Sequence, residues 1–251
     1  MIRDLRQHIK HFVCARPLLY SGWVRLMRPE KNRLAAAKGV ECIIEGYPRS
    51  ANTFAVVAFQ KAGNGRIRLA HHTHVPATIL YGCARDLPTV VLIRNPLDAV
   101  ASAVIFSGQS PRLLLGDWIW FYRTCWDMRH KFIVADFDEV IGDFGEVTNR
   151  MNLRWARDFR PFFPNDENLA EVRSEIEAIA RQHNMGEKQV ARRSEEREKL
   201  KVAVKEELGQ HERQLTEAIA IYEQYKILAT GSPPQELEPS GHGTRLGSSS
   251  S

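Results

Sequence analysis

The sequence predicts an α/β fold, a doubly wound parallel sheet flanked by helices within a single domain. Three observations lead there. Short apolar runs alternate with segments of helical periodicity between residues 41 and 151. One of these runs, Thr89-Val90-Val91-Leu92-Ile93, is β-branched and shows no polar alternation, as expected of a parallel strand covered on both faces. A chain of 251 residues, 43% hydrophobic and 26% charged, also suits one large core better than two.

Residues 1–38 read as a basic N-terminal arm. Arg, His, Lys and Pro interrupt its apolar stretches too often for a signal-peptide core or a membrane span, which predicts a cytoplasmic protein. Within the arm, Ile9 to Met27 can either pack on the domain or form a basic, aromatic-rich surface helix making weak peripheral contact with anionic lipid. The α/β domain spans 39–230. It begins with Glu41 to Glu45 (ECIIE) as a short buried strand bounded by Gly46, followed by Ser50 to Ala62 as a helix. Arg66 to Ala70 gives a second strand, Thr89 to Ile93 a third, and Asp98 to Phe106 a helix. Leu113 to Lys131 is a helical stretch whose Trp118, Trp120, Phe121, Tyr122 and Trp126 either line a pocket or fill the core. Phe132 to Ala135 is a fourth strand before a helix from Phe137 to Met151. Past Glu167 strand-like runs are few. Leu200, Val204 and Leu208 recur at helical spacing in a charged stretch, so an amphipathic helix is expected there. Residues 231–251, rich in Gly, Ser and Pro, have nothing to bury and are expected to be disordered.

The net charge of +5 favours anionic partners without choosing among them. Cys14, Cys42, Cys83 and Cys125 are widely spaced, with no C-x-x-C pair, which argues against a structural zinc or a disulfide framework.

Two segments are suited to phosphate. Gly46-Tyr47-Pro48-Arg49-Ser50-Ala51-Asn52-Thr53 lies between a buried strand and a helix N-terminus, where backbone N–H groups and the helix dipole favour an anion. Against the triphosphate loop G-x-x-x-x-G-K-[ST], Gly46 and Thr53 match, but Ala51 replaces the second glycine and Asn52 the lysine. The architecture is therefore P-loop-like without the ATP signature. The same segment also fits a well-capped strand-to-helix connection. The second segment runs from Val90 through Arg94-Asn95-Pro96-Leu97-Asp98 to Ser102. A triphosphatase strand beside the phosphate loop commonly ends in an Asp that helps hold magnesium, and here Arg94 inverts that charge. A guanidinium at the sheet edge suits a phosphate held directly by protein, with Ser102 on the following helix as a hydroxyl donor. Asp98 is a helix-start residue or a partner that orients the arginine.

The two segments together resemble the sulfotransferases that use 3'-phosphoadenosine 5'-phosphosulfate (PAPS). In that family P-[KR]-S-G-[TN]-[TS] holds the 5'-phosphosulfate and R-N-P-x-D-x-x-x-S the 3'-phosphate. Pro48 to Thr53 matches the first except at Ala51, and Arg94 to Ser102 matches the second fully. The resemblance covers about Ile43 to Val140. The family's later R-K-G-x-x-G-D-W segment is missing, and Arg192-Arg193 stands in its place, either as replacement cations or as a solvated helix start.

The resemblance implies sulfuryl transfer from PAPS to a hydroxyl or amine of a small molecule, glycan or lipid, with 3'-phosphoadenosine 5'-phosphate as product. No metal and no nucleic acid are expected to take part. It implies cofactor contacts from Arg49, Ser50, Ala51, Asn52, Thr53, Arg94 and Ser102, and from Phe54, where relatives often carry a tryptophan beside the adenine. Arg49 would neutralise charge on the leaving phosphate. His72-Thr73-His74-Val75-Pro76 is similar to the family's K-T-H-[LV]-P, which makes His74 the candidate general base. A polar loop or a metal site are the other readings of this histidine cluster. Some relatives use glutamate, and Glu45 is the candidate for that role. Two rival functions remain from the residues alone: a P-loop small-molecule kinase, which would need a lysine at Asn52 and a carboxylate near Arg94, and a catalytically silent nucleotide-binding protein.

Overall fold

The computed structural model describes residues 2–27, 38–182 and 195–230. The expectations for Arg192, Arg193 and the tail 231–251 lie outside these residues.

Four strands, β1 (Cys42–Gly46), β2 (Leu69–His71), β3 (Thr89–Ile93) and β4 (Ile133–Asp136), form an all-parallel sheet in the order β2-β1-β3-β4. Helices cover both faces, as the uninterrupted apolar character of β1 and β3 requires. On one face α3 (Asn52–Ala62), α7 (Phe137–Trp155) and α8 (Asp166–Gln182) bury Ile44, Val90, Leu92 and Ala135. On the other, α4 (Pro76–Ala84), α5 (Pro96–Ser107), α6 (Pro111–Cys125) and α10 (Glu212–Ala229) bury Val91, Ile93 and Val134. Successive residues of β3 thus point to opposite layers, each burying a large aliphatic side chain at about 1.5–3 kcal/mol.

Several elements begin elsewhere than the sequence pattern suggests, each for a local reason. The helix expected from Ser50 starts at Asn52, because Arg49 (φ 70) and Ala51 (φ 65) are left-handed and cannot belong to a right-handed helix. The helix expected from Asp98 starts at Pro96, with Asn95 Oδ1 accepting the Leu97 N–H at 3.0 Å. Asp98 falls in its first turn and pairs with Lys205 at 2.6 Å. The aromatic stretch ends as an α-helix at Cys125 and continues as a 3₁₀ turn over Trp126–Lys131. Trp118, Phe121 and Tyr122 are core residues, and the Tyr122 hydroxyl donates to Leu92 O at 2.8 Å.

Helix α4 has no counterpart in the sequence reading. Its nine residues, PATILYGCA, are apolar on most sides and so lack the polar face that would reveal a period. In α9 (Glu195–Gly209), Leu208 is fully buried and Val204 packs on the core beside α5, whereas Leu200 is exposed. All four cysteines are buried and free; burial pushes every thiol up, that of Cys83 to about 11.

The N-terminal arm forms two helices, α1 (Ile2–Cys14) and α2 (Pro17–Met27), that pack on the domain. Cys14, Tyr20 and Val24 bury against Val75 and Ala77. Lys10 and His11 reach Asp117 of α6 at 2.8 and 2.7 Å, Gln7 also donates to it, and the His11 ring stacks on Trp120 at 4.0 Å. Burial alone would raise the Asp117 carboxyl, but the hydrogen bonds from His11 and Lys10 outweigh it and hold it below its ordinary value. Among the described residues, no helix is long and apolar enough to cross a membrane.

Candidate functional site

The site forms where the strand order changes direction. The chain passes from β1 to β2 on one side and later to β3 on the other, so the loops after β1 and β3 flank a crevice at the carboxyl edge of the sheet. Gly46 closes β1 and is sterically required, since a Cβ there would lie 2.5 Å from Leu92 O. The strands approach closely at that point, and the chain then turns through 47–51.

The turn is held by its own side chains. Asn52, nearly fully buried, donates through Nδ2 to Tyr47 O at 3.0 Å and so ties the first turn of α3 back to the loop entrance. Ser50 is fully buried next to the Tyr122 hydroxyl. Ala51 is the N-cap of α3 and offers no side-chain hydrogen bond, and no acidic residue lies in the first helical turn. Such a terminus suits an anion: the first N–H groups of a helix lack intrahelical acceptors.

Three side chains from the two motifs converge beside it. Arg49 Nε donates to Ser102 Oγ at 3.0 Å, and Arg94 Nη1 donates to Arg49 O at 3.1 Å. Arg94 also lies over the Phe137 ring at 3.9 Å, and Arg49 faces Phe106 at 5.4 Å. Both guanidiniums are thus held by aromatic faces as well as hydrogen bonds. The sequence reading missed Phe106 and Phe137, because nothing in a lone phenylalanine marks it as a cation's partner. Thr53 Oγ1 lies 3.2 Å from His72 Nε2, and Phe54 packs edge-on to Phe162 at 6.3 Å.

The histidine segment follows β2 and enters the crevice from the other side. His72 (φ 54) and His74 (φ 53) are both left-handed, a conformation that costs a non-glycine residue about 1–2 kcal/mol and is retained where surrounding contacts enforce it. Glu45 is the main enforcer. Its fully buried carboxylate accepts the Thr73 N–H at 2.5 Å, the Thr73 hydroxyl at 2.8 Å, the His74 N–H at 3.2 Å and the Gly46 N–H at 3.3 Å. Burial nevertheless pushes the Glu45 carboxyl above its ordinary value, with His74 and these donors pulling the other way.

His74 Nδ1 lies 2.9 Å from Gly46 O and 3.8 Å from Glu45 Oε2. A carbonyl only accepts, so Nδ1 carries the proton and Nε2 carries the lone pair of the neutral ring. His71 is held neutral, because burial first and the neighbouring His74 second lower its pKa to about 4. Tyr20 of the arm closes this side; burial and the Glu45 charge raise its phenol, and it neighbours Thr73. Its position in the wall follows from tertiary packing that no local pattern announces.

The donor set at this edge is cationic and hydroxylic. Among the described residues, no three His, Cys, Asp or Glu side chains are grouped to hold a metal ion. A cleft of about 340 Å³ lined by Gly39, Val40, Glu41, Leu87, Arg157 and Phe159 opens at the opposite edge of the sheet, away from both motifs. No family model and no curated protein matches the chain.

Proposed function

We propose that the chain is a PAPS-dependent sulfotransferase acting on a hydroxyl or amine acceptor. The observation that carries the reading is the convergence of Arg49, Arg94 and Ser102 from two segments 45 and 53 residues apart in pairwise spacing, beside an uncapped helix N-terminus. Two permanent cations, a hydroxyl and helix N–H groups suit a ligand with two separated phosphates, such as the 3'-phosphate and 5'-phosphosulfate of PAPS.

The cofactor supplies an activated sulfuryl group on a phosphate leaving group. Arg49 neutralises the charge that grows on the leaving phosphate, and Arg94 with Ser102 binds the 3'-phosphate. His74 takes the acceptor proton at Nε2. Its Nδ1–H is anchored on Gly46 O, and the nearby Glu45 carboxylate favours the imidazolium that results. Glu45 is a positioning residue in this scheme, because its oxygens are fully buried and already occupied by four donors, whereas His74 is partly exposed. Asn52 braces the loop where a triphosphatase would present a lysine, which weighs against a kinase.

The test is ligand-dependent thermal stabilisation followed by transfer. 3'-Phosphoadenosine 5'-phosphate should raise the melting temperature strongly and ATP with magnesium weakly. Labelled PAPS offered with an acceptor library should yield a sulfated product. Equal shifts from the two nucleotides would overturn the reading.

A further inference from the structure

We propose that the α1–α2 arm is a docking surface for an anionic phospholipid bilayer. Helix α1 is amphipathic but sits the unusual way round. Its polar residues Gln7, Lys10 and His11 face the domain and hold Asp117, while Leu5, Ile9 and Phe12, at helical spacing, are exposed. A helix normally turns its apolar stripe to the core. Here the polar face is consumed by the protein and the apolar stripe is left outside.

Helix α2 also leaves apolar residues outside, although its inward face is apolar too. Tyr20 and Val24 face inward, whereas Leu18 and Leu26 are 85% and 80% exposed and Trp23 is exposed beside them. Scattered surface leucines need no explanation, but a concentration on two consecutive helices does.

Charge selects the occupant. Besides Lys10, which is paired with Asp117, residues 1–27 contain Arg3, Arg6, Arg16 and Arg25 against one acid, Asp4. Arg16 lies over the exposed Phe12 ring at 3.7 Å, which puts a cation directly at the edge of the apolar stripe. Exposed apolar side chains flanked by cations, with a tryptophan among them, match the boundary between anionic headgroups and acyl chains. The surface adjoins the candidate site, since its inner residues pack on Val75, next to His74.

The experiment is co-flotation of the full chain with phosphatidylcholine vesicles and with vesicles that also contain phosphatidylglycerol, at low and high salt. Binding is expected only to the anionic vesicles and should weaken with salt. Leu18→Glu with Leu26→Glu should reduce it about tenfold or more, and Arg6→Gln or Arg25→Gln roughly fivefold each, with unchanged melting temperature. Equal binding to both vesicle types, or none to either, overturns the proposal. So does a concentration-dependent dimer, seen without lipid by light scattering and abolished by the same leucine substitutions, which would assign the face to a second copy. Flotation requires no turnover, so it fails or succeeds independently of the sulfuryl-transfer reading.

Discussion

Glu45 and His74 are joined twice: the His74 backbone N–H donates to Glu45 Oε2 at 3.2 Å, and the His74 ring Nδ1 lies 3.8 Å from the same oxygen. The carboxylate also collects both donors of Thr73, so one buried group holds the backbone of Thr73 and of the left-handed His74. Even protonated, the carboxyl carries one donor hydrogen where an amide carries two, so Glu45→Gln would turn an extra donor toward these donors and should cost about 1–3 kcal/mol at low pH. The pH dependence has a defined sign. Because burial raises the folded-state pKa above 4.5, Glu45's contribution is complete below that value and is lost as pH rises toward the folded value. The melting-temperature gap between wild type and variant should therefore narrow from about pH 4 upward. A gap that widens would contradict the assignment.

His74→Asn tests the base without disturbing the backbone, since asparagine tolerates the left-handed region that His74 occupies at φ 53. Turnover should fall roughly 10² to 10⁴ while affinity for 3'-phosphoadenosine 5'-phosphate stays nearly constant. Arg49→Ala should lower both. Near-normal turnover in His74→Asn would remove the histidine from the chemistry.

The sheet was legible because its strands are buried on both faces and read as apolar runs, as in Thr89–Ile93, where expected and observed bounds coincide. The loops were legible as motifs but not as geometry. Arg49 reaches Ser102 only because the parallel pairing of β1 with β3 sets the two strand ends side by side. Periodicity carries no such information. Helix α4 escaped because its apolar residues run round most of the helix and hide the period, and the arm's anchoring on Asp117 because it depends on a partner far along the chain, 106 residues away for His11.

Ala51 stands where the resembled family carries glycine, and its φ of 65 explains the preference. Ala51→Gly should relieve left-handed strain of about 1–2 kcal/mol, less the extra entropy that glycine loses, for a net gain near 0.5–1 kcal/mol. Chemical denaturation measures this directly. A loss of stability would mean that the Ala51 methyl, which packs against the α3 layer, outweighs the strain.

Arg94→Ala deletes the donor to Arg49 O and the cation over Phe137. Affinity for 3'-phosphoadenosine 5'-phosphate should fall by about 2–4 kcal/mol, the range for losing one side of a buried charge-assisted contact. Adenosine 5'-phosphate, which lacks the 3'-phosphate, should lose much less. Calorimetry with both ligands separates a specific 3'-phosphate contact from general collapse of the loop, which would weaken the two equally.

Asp117 is the anchor of the arm, and its substitution gives the arm a measurable free state. The carboxylate takes Gln7, Lys10 and His11 from α1, so Asp117→Asn replaces one acceptor oxygen by a donor facing other donors. The cost should be about 1–3 kcal/mol, confined to the arm because the sheet core makes no use of this carboxylate. Amide exchange in α1 should therefore quicken in the variant while exchange in β1 and β3 stays unchanged. The sign with pH is opposite to that of Glu45. The folded pKa lies below 3.8, so Asp117's contribution is present above that value and is lost as pH falls through the folded one. Wild-type α1 should accordingly approach the variant's protection in acid and exceed it at neutral pH. Equal protection of α1 in the two proteins at neutral pH would show that Cys14, Tyr20 and Val24, packed on Val75 and Ala77, hold the arm without the carboxylate.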